Sequence, residues 1–280
     1  MRIKISADST CDLSQELIEA YNIGITPLYI VRGEEVLRDG IDITPQDIYA
    51  YVESQGTLCS TAAVNVTDYL EVFQQWREDY DAIVHFTISS DMSACYQNAV
   101  IAASELSEVY VIDSRNLSDG IGLLVLRAAE LAREGMAADE IKRIVDAQKE
   151  KVETSFVVDT LEYLHKGGRC SAIAALGANL LSLKPCIEVR EGRMGVGKKY
   201  RGTTVKCLCK YVEDRLKGRD DLDFSRIFIV DSGVDPAIVE QVEQKVLEFG
   251  AFEEILHAKA GCTISNHCGP NCFGIMFFRK

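Results

Sequence analysis

Ala82-Ile83-Val84-His85-Phe86-Thr87-Ile88-Ser89-Ser90-Asp91-Met92-Ser93 is the stretch whose reading decides the fold. Its run from Ala82 to Ser89 is apolar and β-branched with little alternation, the pattern of a strand covered on both faces. A helical pattern follows from Ser93 to Leu106, and a second apolar run occupies Val109 to Asp113. Strand, helix and strand in succession make a parallel crossover unit. The same alternation extends toward the N-terminus. Strand patterns at Ile3 to Ala7 and Thr26 to Val31 are interleaved with a helical pattern at Ser14 to Tyr21, whose Leu17, Ile18 and Tyr21 share one face. Thr44-Pro45-Gln46-Asp47 supplies an N-cap followed by proline at the first helical position. Helical patterns at 68–80, 120–133 and 139–151 complete an α/β first domain, residues 1–155, built on a doubly wound, mostly parallel sheet.

The rhythm changes after Lys151. Strand patterns at 155–159, 185–190, 193–199, 226–231, 252–257 and 274–278 surround helices near 203–217 and 235–249, which predicts a second, mixed α+β domain over residues 156–280. Charge divides the same way. Residues 1–155 hold 12 Lys+Arg against 27 Asp+Glu, whereas residues 156–280 hold 18 against 16. The net charge of -13 argues against a nucleic-acid partner, which needs a basic footprint. No apolar stretch approaches the ~20 residues that span a bilayer, and Met1-Arg2-Ile3-Lys4-Ile5 runs into a strand pattern rather than a signal-peptide core, so a soluble cytoplasmic protein is expected. Ten cysteines scattered through strand-like and helix-like segments then read as reduced thiols.

In a parallel sheet, ligands bind outside the strand C-termini. Polar clusters stand there: Asp8-Ser9-Thr10-Cys11-Asp12, Ser89-Ser90-Asp91-Met92-Ser93 and Asp113-Ser114, with Ser60-Thr61 ahead of the helix at 68. Each hydroxyl also suits a helix cap. Ser93 opens a helix pattern, where free N–H groups and the dipole favour an anion. It lacks the flanking glycines of a nucleophile elbow, since the residues are Asp91-Met92-Ser93-Ala94-Cys95. Lys166-Gly167-Gly168-Arg169 places a guanidinium after two glycines, as an anion clamp or as a surface arginine beyond a helix end. The segment 166–219 has 13 Lys+Arg against four Asp+Glu, either a docking face for an acidic or phosphate-bearing partner or a solvated surface. Gly192 to Lys199 has P-loop spacing without the final hydroxyl, and reads as a hairpin turning at Glu191-Gly192. Cys262, Cys268 and Cys272, with Cys207 and Cys209, invite zinc, but no Cys-x-x-Cys knuckle is present and small buried thiols fit better. His267 precedes Gly269-Pro270, a turn from which an imidazole can reach a cleft or remain structural.

Taken in order, these clusters resemble the DegV family of fatty-acid-binding proteins over nearly the whole chain. The family's Thr-Asp-Ser-x-x-Asp-Leu is similar to Ala7-Asp8-Ser9-Thr10-Cys11-Asp12-Leu13, and its Ser-Ser-x-Leu-Ser-Gly-Thr-Tyr-Gln is similar to Ser89 to Gln97. Lys-Gly-Gly-Arg-Ile-Ser corresponds to Lys166 to Ser171 with Cys170 for isoleucine, Leu-Lys-Pro to Leu183-Lys184-Pro185, and His-x-Gly-Pro-Gly to His267 to Asn271. This chain departs from the pattern at Thr61-Ala62-Ala63-Val64-Asn65, at Ala94-Cys95 and at Asn271. The resemblance implies two α/β domains with a long-chain fatty acid buried between them. Thr61 and Ser93 would bond its carboxylate, with Arg169 and His267 close by. It implies a lipid-binding carrier without cofactor, metal or catalytic residues, which presents the acid to a separate fatty acid kinase; transient membrane contact is compatible with that role. Lys198, Lys199 and Arg201 become the expected docking surface. The competing class is an enzyme, a hydrolase or phosphotransferase using Ser93 with His267.

Overall fold

The structure, a computed structural model, describes residues 1–169 and 183–280. The first half runs β1 (Ile3–Asp8), α1 (Gln15–Tyr21), β2 (Gly24–Thr26), β3 (Tyr29–Arg32), β4 (Glu35–Arg38), α2 (Pro45–Gln55), β5 (Ser60–Ala62), α3 (Val66–Asp79), β6 (Ala82–Thr87), α4 (Cys95–Ala103), β7 (Val109–Asp113), α5 (Asp119–Arg133) and α6 (Ala138–Gln148). The second half continues with β8 (Val152–Val157), α7 (Glu162–Gly167), β9 (Lys184–Arg190), β10 (Arg193–Tyr200), α8 (Thr204–Leu216), β11 (Leu222–Asp231), α9 (Pro236–Leu247), β12 (Glu254–Lys259), α10 (Cys262–Cys268) and β13 (Phe273–Arg279).

Strands β2-β1-β6-β7 form a wholly parallel sheet, with Ile3 opposite Ala82 and Thr87 opposite Asp113. Every residue of β6 is buried, as its unbroken apolar run requires of a strand covered on both faces. The second sheet is mixed, in the order β10-β9-β8-β13-β11-β12, and only β11 and β12 are parallel. The chain enters it at Val152. Helix α5 lies between the sheets against β1, β6, β8 and β13. Burial on every side explains why Asp119–Arg133 is apolar nearly all round, with Ile121, Leu123, Leu124, Val125 and Leu126 all inaccessible. Helices α8 and α9 cover the far face of the mixed sheet through Leu208, Tyr211, Val242 and Val246. Layers of helix and sheet therefore alternate, and one apolar cluster runs from Ile5 and Phe86 across α5 to Phe156 and Met276.

The run Thr26 to Val31, read as one strand, is two. Pro27 has no N–H to continue the ladder, and beyond it β3 leaves the parallel sheet for a three-stranded antiparallel sheet, β4-β3-β5. That small sheet, with α2 and α10, closes over its own core of Ile30, Ile43, Ile48, Cys59 and Cys262. Thr44 is the expected N-cap of α2, and Asp47 extends it to a capping box: Thr44 accepts from the Asp47 N–H while the Asp47 carboxylate takes the Thr44 N–H at 2.9 Å. A further correction concerns Cys262 to Cys268, which is helical, so His267 sits on the last turn of α10 and not on the glycine-proline turn itself. Helix α4 begins at Cys95, two residues later than the pattern beginning at Ser93.

Candidate functional site

The polar clusters after β1, β6 and β7 meet the small sheet and α10 at the C-terminal edge of the parallel sheet, where a crevice is expected. A small cavity of about 40 Å³ opens there, with Thr61, Ser93, Arg169 and His267 among its lining residues. All four site residues drawn from the sequence thus face one space. Thr61 comes from β5, Ser93 from the loop ahead of α4, Arg169 from just beyond α7 and His267 from α10. Leu28, Ile88, Met92, Leu117, Met194 and Ile264 make the wall apolar. Sequence reading missed these residues, because an apolar wall residue carries the same signal as a core residue.

Thr61 Oγ1 and His267 Nε2 are 2.9 Å apart, a hydrogen bond between residues 206 positions apart in the chain. Burial, and secondarily the charge of Arg169, pushes the imidazole down to about 4, so at neutral pH it is uncharged. Its Nδ1 has no hydrogen-bond partner, and Gly167 lies directly against it. Arg169 donates from Nη1 to the Gly167 carbonyl at 3.0 Å, which keeps the guanidinium on this side of α7. Ser93 Oγ accepts from the Cys95 N–H at 3.3 Å and donates to Cys95 Sγ at 3.2 Å. A thiol is a weak acceptor, so the hydroxyl proton is available to a stronger one. The Ser93 and His267 pairing of the enzymatic alternative is not formed: each side chain bonds elsewhere, to Cys95 and to Thr61.

Two carboxylates position α10 from a distance. Gly261 offers α10 no side-chain cap. Instead the Gly261 N–H donates to Asp12 Oδ1 at 3.0 Å, and Asp39 takes the Cys262 N–H at 2.9 Å, the Thr263 N–H at 3.1 Å and the Thr263 hydroxyl at 2.6 Å. These contacts satisfy the orphan donors of the helix start and seat the element that carries His267. Asp8, wholly buried, is pushed up to about 6 by desolvation despite hydrogen bonds from Thr10 and the Ile88 N–H.

A second, smaller cavity of about 20 Å³ lies between α10 and the mixed sheet, lined by Phe156, Val230, Cys272, Gly274 and Met276. It shares Leu117, Ile264 and Cys268 with the first, so these three side chains stand between a polar space and an apolar one. The cysteines here are free thiols, and the hydrogen bond with Cys268, followed by burial, raises the Cys272 thiol well above its ordinary range. Among the described residues no group of three His, Cys, Asp or Glu side chains could hold a metal. Cys170 and Ser171, the end of the Lys166 to Ser171 motif, lie outside the described residues. Lys198 and Lys199 on β10 and Arg201 just after it are exposed on the rim of the mixed sheet, Lys198 pairing with Asp214 at 3.0 Å.

A family model described as an uncharacterised protein of the DegV family matches residues 2–280. The chain belongs to the DegV family. A DegV domain-containing protein of Clostridium perfringens is 31% identical over 100% of this chain and 99% of its own length. A solved DegV family structure from Thermus thermophilus, titled for fatty acid binding, superposes with a TM-score of 0.90 at 31% identity over 100% of both chains. A solved protein from Eubacterium ventriosum described as binding stearic acid gives a TM-score of 0.84 at 26% identity, covering 100% of this chain and 98% of that one. Relatives in the DegV family are thus described as fatty acid-binding proteins rather than as enzymes. Among the described residues, no helix is long and apolar enough to cross a membrane.

Proposed function

We propose that this protein binds a long-chain fatty acid, with the carboxylate among Thr61, Ser93, Arg169 and His267 and the tail running past Leu117, Ile264 and Cys268 toward Met276. One observation carries the reading: two hydroxyls, an imidazole and a guanidinium line one cavity whose other walls are mainly apolar, with a second apolar cavity behind Leu117, Ile264 and Cys268. A carboxylate removed from water needs several donors or a cation, and each buried methylene of the tail contributes about 0.8 kcal/mol. The stearic acid description of the relative from Eubacterium ventriosum supports this ligand class. The protein acts as a carrier, presenting the bound acid to a separate kinase that phosphorylates its carboxylate. The exposed Lys198, Lys199 and Arg201 form the docking face for that partner.

The test is organic extraction of the purified protein followed by mass spectrometry, with a stearate titration of the delipidated chain. A copurifying fatty acid and saturable stearate binding are expected; neither lipid nor binding would overturn the reading. Reversing Lys198, Lys199 and Arg201 to glutamate should preserve stearate binding and slow acyl-phosphate formation by a fatty acid kinase. An unchanged phosphorylation rate removes the docking assignment.

A further inference from the structure

The hairpin of β9 and β10 turns at Glu191 and Gly192, both with positive φ, and its tip is gripped by the loop that leads to Ser93. Ser89 Oγ donates to the Gly192 carbonyl at 2.7 Å, and Arg115 Nη2 donates to the adjacent Glu191 carbonyl. Asp91 accepts from Arg193 Nε at 2.9 Å and pairs with Arg115 Nη1 at 2.5 Å. Ser90 Oγ and its N–H both bond the Asp113 carboxylate, at 2.5 and 3.1 Å, and Arg115 Nη1 donates to Ser90 Oγ at 3.2 Å. Three segments from different parts of the chain are therefore tied by two guanidiniums, of Arg115 and Arg193, and two carboxylates, of Asp91 and Asp113.

Arg115 is itself in the left-handed region, φ 55°, a conformation that side-chain-bearing residues leave unless the surroundings hold them there. Its own N–H bonds Asp113 Oδ1 at 3.0 Å, which helps to hold it. Gly192 completes the fit. A Cβ there would stand 2.5 Å from Arg115 Cζ and 2.6 Å from Ser89 Oγ, so the turn seats this closely only as glycine. The residues that follow the tied positions, Met92 and Ser93 on one side and Met194 on the other, are walls of the cavity that holds Thr61 and His267.

We propose that Arg115 is a positioning residue: it straps the 191–193 turn to the 89–91 loop, and so holds the cavity closed between Met92 and Met194 around a bound acid. The proposal rests on the fatty-acid reading above for its ligand, though not for its geometry. Arg115 itself bonds none of Thr61, Ser93, Arg169 and His267, though the loop it holds takes the Ser93 N–H at the Ser89 carbonyl, 3.2 Å away, so it acts chiefly on how long the ligand stays.

Two measurements test it on the full chain. The first is the rate at which preloaded stearate transfers to excess phosphatidylcholine vesicles. Arg115→Ala should raise it about tenfold, the scale of one charge-assisted hydrogen bond, and Arg115→Lys, which keeps the charge without the fork, should restore only part of the difference. A transfer rate unchanged in Arg115→Ala overturns the proposal. The second is amide hydrogen exchange on the ligand-free chain, where residues 90–93 and 191–194 should exchange faster in Arg115→Ala while β13 stays as protected as before. Unchanged protection in those two segments also overturns it. If the wild-type chain takes up no stearate, the fatty-acid reading fails and hydrogen exchange alone decides the strap. Should Arg115→Ala not fold, Asp91→Asn combined with Arg193→Ala removes the ion pairs of Asp91 with Arg115 and Arg193 and should raise the transfer rate in the same direction by a smaller factor; an unchanged rate there overturns the proposal as well.

Discussion

Gly167→Ala separates the binding site from the stability of the fold. Gly167 ends α7 with its Cα against the His267 ring, and a Cβ there would lie 2.3 Å from Nδ1 and 3.1 Å from Cε1. Ordinary contact between such atoms is about 3.5 Å, so the ring or the helix end must yield by about 1 Å. The Thr61 to His267 bond is 2.9 Å, and stretching it that far takes it beyond hydrogen-bonding range. Helix propensity works the other way, because alanine in place of a helical glycine stabilises by about 0.5–1 kcal/mol. Set against an overpacking cost of about 1–3 kcal/mol, the net change in stability is about 0–2.5 kcal/mol. Stearate affinity, by contrast, should fall about 10- to 100-fold as the imidazole leaves its place, about 1.4–2.7 kcal/mol. Gly168→Ala is the control. Gly168 has φ 67° and nothing within 4 Å of a Cβ, so alanine there costs about 1–2 kcal/mol of backbone strain and leaves the ring alone. Calorimetric titration of stearate alongside thermal melts should give lost affinity in the first variant and lost stability in the second. Full stearate affinity in Gly167→Ala, or equal losses of affinity in both, refutes the reasoning.

Ser93→Ala removes a donor to a charged acceptor and should weaken stearate binding by about 10- to 150-fold, while melting close to wild type because among the described residues the Ser93 hydroxyl bonds only Cys95; tight binding by the variant would exclude Ser93 from the carboxylate site. Asp39→Ala leaves the Cys262 and Thr263 donors and the Ser9 hydroxyl without their acceptor, so urea unfolding should show a loss of about 3–5 kcal/mol. The pH dependence has opposing parts. His85 and His267 are depressed to about 3 and about 4, so the stability of keeping them neutral is complete above about 6.5 and is lost as pH falls toward those values. Asp8 is raised to about 6; its contribution is complete below 3.8 and is lost as pH rises through 6. Between pH 6 and 4 the protonation of Asp8 therefore offsets one histidine, and Asp8→Asn should steepen the fall in unfolding free energy by about 1.4 kcal/mol per pH unit relative to wild type, with parallel slopes sinking the assignment.

The parallel sheet was legible because its strands are unusual. β1 and β6 are buried on both faces, so their apolar runs stand out without alternation, and the intervening helices supply the period change that marks crossovers. The small sheet was not legible. Glu35–Arg38 is largely exposed and Ser60–Ala62 is three residues long, so neither has a covered face to impose a pattern. The break between β2 and β3 is signalled by Pro27, yet a proline shows where pairing stops and not which sheet the chain joins next. Helix α10 failed for a different reason. Its start is capped by Asp39 and Asp12, more than 220 residues away, and no local residue carries that signal.

The same distance limits what could be read of the site. Each of Thr61, Ser93, Arg169 and His267 could be picked out singly from its residue type and its place after a strand or glycine turn, but their convergence depends on how the halves meet. The first half supplies hydroxyls, and behind them it buries Asp8, Asp12, Asp39 and Asp119. Burial raises Asp12 and Asp119 well above the carboxylate range, so those two repel an anion less than their formal charge suggests. The cation and the imidazole come from the second half, whose basic excess the charge count already exposed. Neither half alone offers a carboxylate both a cation and the two hydroxyls. A site divided in this way is completed only by the contacts that seat α10 and the hairpin on the parallel sheet, and this is why Asp39 and Arg115, neither of which lines the cavity of Thr61, Ser93, Arg169 and His267, should still affect binding.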